Sequence, residues 1–387
     1  MTSLKRIGII ALAFTLSIGM FLLIDAASSK GKGPISETVH EIEKVFIGDT
    51  VNHSDSIEQQ KLRVSPKHRV KLTLSTKQAK NPNKILIGYA GSSKSNVTEA
   101  TMEMDEKLGV HMDLVQLYVA WGSKKEEQFP SARVQEIVTA GSIPVITWEP
   151  WLSDFSENIP NQAPIENREV KPLKAIYSGV YDDYIRRWAK EAKRIKSPIY
   201  LRFAHEMNDP YRYPWGPHNN EVGDFSKAWI HVYEIFKSLN VNNVIWMWSI
   251  HSAYDDYASF YPGDEYVDVV ATGILNFGSS VYWSKWWSFD QLFSGHYGAL
   301  SSFKKPIFII EFGSLKVGGD RKRWYEEALN AIPQSYKNVK GIVFFNVPAD
   351  KTLTDKSVTW ELDKTSKEAQ CIQQILGNWK KSNFLHN

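Results

Sequence analysis

Eight short apolar runs recur between Lys84 and the C-terminus, and stretches of helical periodicity separate them. The runs are Ile85–Ala90, Leu114–Ala120, Pro144–Glu149, Ile199–Glu206, Val244–Ile250, Val267–Ile274, Ile307–Glu311 and Ile342–Asn346. Runs this short, rich in β-branched residues and bounded by turn formers, read as strands buried on both faces. Among the intervening stretches, Tyr181, Tyr184, Ile185, Trp188, Ala192 and Ile195 form one helical stripe, and Phe225, Trp229, Val232, Phe236 and Leu239 form the next. Helices are also expected near Thr98–Leu108, Ser131–Thr139, Trp286–Ser302, Arg321–Ala331 and Ser366–Lys380. An α/β chain with this alternation over about 300 residues predicts a (β/α)8 TIM barrel. A doubly wound sheet competes, but Ile85-Leu-Ile-Gly-Tyr-Ala-Gly-Ser-Ser93 lacks the glycine spacing of a dinucleotide-binding turn.

The barrel pattern occupies residues 84–387. Ahead of it, residues 1–29 read as a targeting segment, in which Lys5 and Arg6 flank the apolar run Ile7–Ile24. That run is intermediate between a secretory core of about 7–15 residues and a membrane span of about 20. Both readings stay open: a cleaved signal, or a retained anchor through residues 7–24 that tethers the chain to a membrane. Either one places the remainder outside the cytoplasm, secreted or anchored by its N-terminus. Residues 30–83 are polar and without a sustained period, and read as a linker or N-terminal extension with a short strand near Val70–Leu74. With 46 basic and 43 acidic residues intermixed, no basic tract favours a nucleic-acid partner. The single cysteine, Cys371, falls in the last predicted helix, and no Cys/His spacing suggests a zinc site.

Active sites of such barrels form at the C-terminal ends of the strands. The fourth run ends on Glu206 and the seventh on Glu311. In an alternating strand, Arg202, Ala204 and Glu206 would share one face, placing a cation beside a carboxylate. Two carboxylates about 5–5.5 Å apart can protonate a glycosidic oxygen and attack the anomeric carbon, while about 6.5–9.5 Å leaves room for an inverting water. Neither chemistry needs a metal or cofactor. The chain also holds 14 Trp and 17 Tyr, and ring faces near strand ends suit the apolar C–H faces of sugars. Trp215 is the first candidate platform, followed by Trp148 and Trp151. On the fifth strand, Trp248 is assigned to the site and Trp246 to the core.

Several stretches together resemble glycoside hydrolase family 26, the β-mannanase-like family of the retaining (β/α)8 clan. They are Arg202-Phe-Ala-His-Glu-Met-Asn208, Tyr213-Pro-Trp215, Ile310-Glu-Phe-Gly313, Thr147-Trp-Glu-Pro-Trp151 and Tyr261-Pro-Gly-Asp-Glu-Tyr-Val-Asp268. The resemblance spans roughly residues 84–380. It implies that Glu206 is the general acid/base, Glu311 the nucleophile, His205 a residue of the cleavage subsite and Arg202 the barrel arginine. Asn208 either bonds substrate or braces its loop, and Asn276 joins the substrate-binding set. Asp209 stands where the family has glycine, and Leu275 where it has a tyrosine bonded to the nucleophile. Phe344 and Phe345 stand where an aromatic lines the cleavage subsite, and Phe344 is counted with the binding residues. The resemblance implies a retaining endo-β-glycosidase acting on a mannan-type or mixed-linkage polysaccharide, with that polysaccharide as its partner. A non-catalytic polysaccharide-binding or assembly protein and a transglycosylase are the alternatives.

Overall fold

The computed structural model describes residues 74–385, apart from 92–95, 157–158, 282–283 and 353–355. The proposed targeting segment and residues 70–73 of the expected N-terminal strand lie outside the described residues.

All eight apolar runs are strands, and they close in sequence order into one parallel barrel. In chain order the elements are α1 (Thr76–Lys80), β1 (Leu86–Gly91), α2 (Val97–Leu108), β2 (Leu114–Ala120), α3 (Ser131–Thr139) and β3 (Ile143–Glu149). There follow α4 (Pro172–Tyr177), α5 (Asp182–Arg194), β4 (Ile199–Phe203), α6 (Asp224–Ser238), β5 (Val244–Ile250) and β6 (Val269–Asn276). The chain closes with α7 (Phe289–Ser301), β7 (Ile307–Ser314), α8 (Arg321–Ser335), β8 (Val339–Asn346), β9 (Asp350–Lys351), β10 (Ser357–Val358) and α9 (Lys367–Lys381). The crossover from β5 to β6 carries only a 3-10 turn, Tyr257–Phe260. β1 pairs with β8 from Leu86↔Gly341 to Gly91↔Asn346, which closes the barrel and removes its strand edges.

Side-chain alternation divides each strand between two apolar clusters. Leu86, Leu114, Val145, Tyr200, Met247, Ala271, Phe308 and Val343 fill the barrel interior. Ile87, Val115, Ile146, Leu201, Trp248, Val270, Ile309 and Phe344 face the helices. The stripe of α5 packs there, with Tyr184, Ile185, Trp188, Ala189 and Ala192 all buried. α1 adds a piece the strand pattern did not announce. Ser75 caps it with a reciprocal capping box, and the Ala79 carbonyl accepts from the Tyr200 hydroxyl inside the barrel at 2.6 Å.

Asp113, just before β2, is an ionisable group buried at the opposite end of the strands from the candidate glutamates. Its Oδ2 accepts from the Ile87 N–H at 3.0 Å. Burial pushes its carboxyl up to about 7, outweighing that bond and nearby His111. An acid raised in the folded state binds more protons folded than unfolded, so stability falls as pH rises from about 4 to about 7. Asp113→Asn is therefore expected to raise the Tm at pH 8 by a few degrees, roughly 1 kcal/mol, and to leave it nearly unchanged at pH 4. Thermal unfolding at both pH values checks this.

Candidate active site

β4 stops at Phe203, short of the expected Glu206, because Ala204 and Glu206 adopt left-handed backbone with φ of 44° and 54°. Such angles are uncommon for residues with a Cβ and store local strain. Neighbouring strands hold the turn: Ala204 N–H donates to the Trp148 carbonyl at 3.0 Å, and Glu206 N–H to the Ser249 carbonyl at 2.9 Å. The expected common strand face for Arg202, Ala204 and Glu206 is thus replaced by a tight turn.

Glu311 reaches the same place by a different device. Thr272 pairs with Ile309 but Gly273 pairs with Glu311, so Ile310 is an extra residue on β7. The bulge turns both Ile310 and Glu311 inward, and Phe312 then packs outward. Gly273 provides the clearance. A Cβ there would lie 3.3 Å from Glu311 Oε2 and 3.9 Å from Glu206 Oε1. The two oxygens are therefore at most about 7 Å apart, below most of the inverting range of about 6.5–9.5 Å.

The two carboxylates have different surroundings. Glu311 Oε1 accepts from Arg202 Nη1 at 2.6 Å and from the Tyr118 hydroxyl at 2.7 Å. Burial raises its pKa, but Arg202, Tyr118 and Arg212 together outweigh burial and hold the carboxyl below its ordinary value. Arg202 is fully buried, and its Nε donates to Ser249 Oγ at 2.9 Å. Glu206 has no such clamp; its Oε2 is 3.7 Å from Arg212 and has no hydrogen-bond partner.

His205 lies beneath them. Its Nε2 is 3.1 Å from the Tyr213 hydroxyl and 3.9 Å from Glu149 Oε1. Burial, then the charges of Arg202 and Arg212, pushes it well below the usual histidine range, so the ring is neutral. Trp215 is buried, donating to the His205 carbonyl at 2.7 Å and stacking on Tyr213 with centroids 4.7 Å apart. Trp151 meets that stack edge-on at 5.1 Å from Trp215. Both rings buttress His205 and are not open platforms. Asn208 is a brace: its amide donates to the His251 and Tyr254 carbonyls and accepts from the His251 N–H, tying the β4 loop to the β5 loop.

Four expected binding residues face elsewhere. Trp148 is fully buried on the helix side, stacked on Trp188 at 4.3 Å. Trp248 is likewise fully buried against Tyr261 and Phe303. Phe344 points outward onto Phe312, and its neighbour Phe345 faces the barrel interior. Asn276 is sealed by Ser314 and by the N–H groups of Gly278 and Trp287. The three aromatic residues share a cause: strand alternation sends every second side chain to the helix layer, and an aromatic there looks the same in sequence.

Three residues were missed. Tyr118 on β2 supplies the hydroxyl bond to Glu311 that Leu275 cannot. Glu149 ends β3 as a third buried carboxylate. Burial pushes it up to about 7, with Trp151, Arg212 and Arg202 only partly opposing. The signal that found Glu206 and Glu311, an acid closing an apolar run, applies to it equally. Arg212 carried no signal beyond its place in the loop.

Because Tyr118 bonds the ionised form of Glu311, Tyr118→Phe is expected to lower kcat/KM by roughly 10- to 100-fold, the worth of a bond to a charged group. Glu311 would then be held less strongly in its ionised form, so the acid limb of the pH profile is expected to move upward. Initial rates from pH 4 to 8 check both.

Glu206, Asp209 and His251 place one ligand-type atom each within 4.8 Å of one another. His251 Nδ1 already accepts from the Ala253 N–H at 3.0 Å, so in the neutral ring Nε2 carries the proton. That leaves Nε2 a donor and makes His251 a poor metal ligand.

Residues 159–297 match the family model described as glycosyl hydrolase family 26. Over 289 residues the chain is 32% identical to Endoglucanase H of Acetivibrio thermocellus, covering 72% of this chain and 29% of that protein. It is 26% identical over 175 residues to a mannan endo-1,4-beta-mannosidase of Bacillus subtilis, 43% of each chain. The chain thus spans less than half the length of these curated relatives. Among solved structures, a family 26 beta-mannanase from Bacteroides ovatus superposes with a TM-score of 0.56 at 13% identity. That match covers 80% of this chain and 92% of the other, a likeness of fold.

Proposed function

The chain belongs to glycosyl hydrolase family 26, and from that premise we propose that it is a retaining endo-β-glycosidase cleaving a β-linked polysaccharide. The observation that carries this reading is the meeting of Glu206 and Glu311 over Gly273, where an oxygen of each lies within about 7 Å of the other, close enough to flank one glycosidic bond. Glu311, clamped by Arg202 and Tyr118, is the group kept ionised to attack the anomeric carbon. Glu206 gives its proton to the departing oxygen. The Glu206 carboxylate so formed then takes a proton from the water that attacks the glycosyl-enzyme; that oxygen breaks the ester bond to Glu311. Neutral His205 orients groups by hydrogen bonding and carries no charge of its own.

The names of the relatives suggest glucan- or mannan-type backbones. An exposed ring, Tyr211, 78% accessible and 6.2 Å from Tyr254, offers a sugar a face on the Glu206 side. We place the enzyme outside the cytoplasm on the strength of the basic-flanked apolar run Ile7–Ile24. The test is incubation with mannans, mixed-linkage glucans and xylans, with NMR of the first anomer released. New reducing ends with retained configuration support the reading. An inverted first product removes the glycosyl-enzyme, and binding without cleavage favours a non-catalytic role.

A further inference from the structure

Among the described residues, the cleft holds a second cation, Arg212, that acts on Glu311 and Glu206 through its charge and without a hydrogen bond to either. Arg202 is engaged through Nε and Nη1 by Ser249, Thr147 and Glu311, although its buried Nη2 has no hydrogen-bond partner. Arg212, on the loop after β4, is held by nothing comparable. Its Nε is buried without a hydrogen-bond partner, and its guanidinium lies 5.1 Å from the Tyr213 ring centroid. Among the described residues its one ion pair is the 3.7 Å approach to Glu206 Oε2. The side chain is 28% exposed, so it is open to whatever enters the cleft.

The charge balance of the working site then becomes one-sided. To act as acid, Glu206 must carry a proton, and Arg212 then loses that ionic contact. The other carboxylates near it offset its charge only in part: ionised Glu311 is already bonded by Arg202 and Tyr118. Asp350 on β9 already accepts from the Trp360 indole and the Lys351 N–H, and burial pushes it upward. Glu149 is pushed up to about 7. A guanidinium is always charged, and a sugar that excludes water would leave this one without a hydrogen-bonded counter-charge unless the sugar brings an anion.

We propose that Arg212 is a specificity-determining residue that clamps a carboxylate carried by the sugar in the cleft, so that the preferred substrate is an acidic β-linked glycan. The planar fork of donors fits a carboxylate with two parallel hydrogen bonds, which a lysine cannot reproduce. The assignment rests on the glycan-cleaving reading for its turnover test, and on binding alone for its second test.

The first experiment compares cello-oligosaccharides with their C6-oxidised glucuronate counterparts, and manno-oligosaccharides with mannuronate ones; within each pair only the C6 group differs. Wild type is expected to show kcat/KM at least about tenfold higher on the carboxylated member of one pair. Arg212→Met should erase that preference and Arg212→Lys should keep part of it, with thermal unfolding confirming that both variants fold. A wild-type preference for the neutral members, or an equal loss on both members in Arg212→Met, overturns the proposal. The second experiment measures retention of the same glycans by Glu311→Gln in affinity electrophoresis, with and without Arg212→Met. Retention of the carboxylated glycan that depends on Arg212, without turnover by wild type, upholds the arginine's role while removing the hydrolase reading. Absence of retention, or retention unaffected by Arg212→Met, overturns it.

Discussion

Glu311→Gln is expected to lower kcat by about 10⁴-fold or more, the usual size of the loss when a reaction's nucleophile is removed. The amide keeps an oxygen where Arg202 Nη1 and the Tyr118 hydroxyl donate at 2.6 and 2.7 Å, so the barrel interior stays hydrogen-bonded. It carries no negative charge and forms no glycosyl ester. The variant should therefore fold and bind glycan without releasing reducing ends, as read by a reducing-end assay beside a thermal melt. Alanine is a less clean choice, because it also removes the acceptor that Arg202 Nη1 and the Tyr118 hydroxyl share. A variant that keeps more than about a hundredth of wild-type turnover would remove Glu311 from the role of nucleophile.

Arg202→Met tests the other half of that pair and acts on stability as well as rate. Methionine fills the space but leaves Glu311 buried without its main counter-charge, a loss of roughly 3–5 kcal/mol for breaking a buried pair. The pH dependence gives the more specific reading. Glu311 in the wild type is held below its ordinary value, so its contribution to stability is present above the unfolded pKa and is lost as pH falls through the folded one. Without Arg202, burial is the larger influence, and the sign reverses. Stability should then decline as pH rises above the unfolded value, and the acid limb of activity should move upward. Urea unfolding at pH 4 and pH 7 separates the cases. A variant that is equally stable at both and unshifted in its rate profile would mean that Arg202 is a packing residue only.

The barrel was legible because its evidence is periodic. Ser131–Thr139 was expected as a helix and is one, and the Asp182–Arg194 stripe buries the residues its spacing marked. The α7 helix begins at Phe289, later than the apolar content from Trp286 suggested, because Ser288 and Gln291 form a capping box there. The site was legible only where an acid closes an apolar run. Trp148 and Trp248 were misplaced because an indole at a strand end carries no mark of the face it takes. Tyr118 was missed because its partner, Glu311, lies 193 residues away on a strand from the other half of the chain.

By itself the sequence determined the eightfold alternation and the barrel that alternation closes into, and it marked two glutamates as candidates, Glu206 just past β4 and Glu311 within β7. Hydrophobic period and residue type are local properties, and they survive without coordinates. Tertiary structure alone decided that an extra residue, Ile310, turns Glu311 inward, that left-handed backbone at Ala204 and Glu206 replaces a strand, and that β2 supplies the hydroxyl absent from β6. Each depends on register and on distance between strands far apart in the chain, and closing the barrel sets both at once.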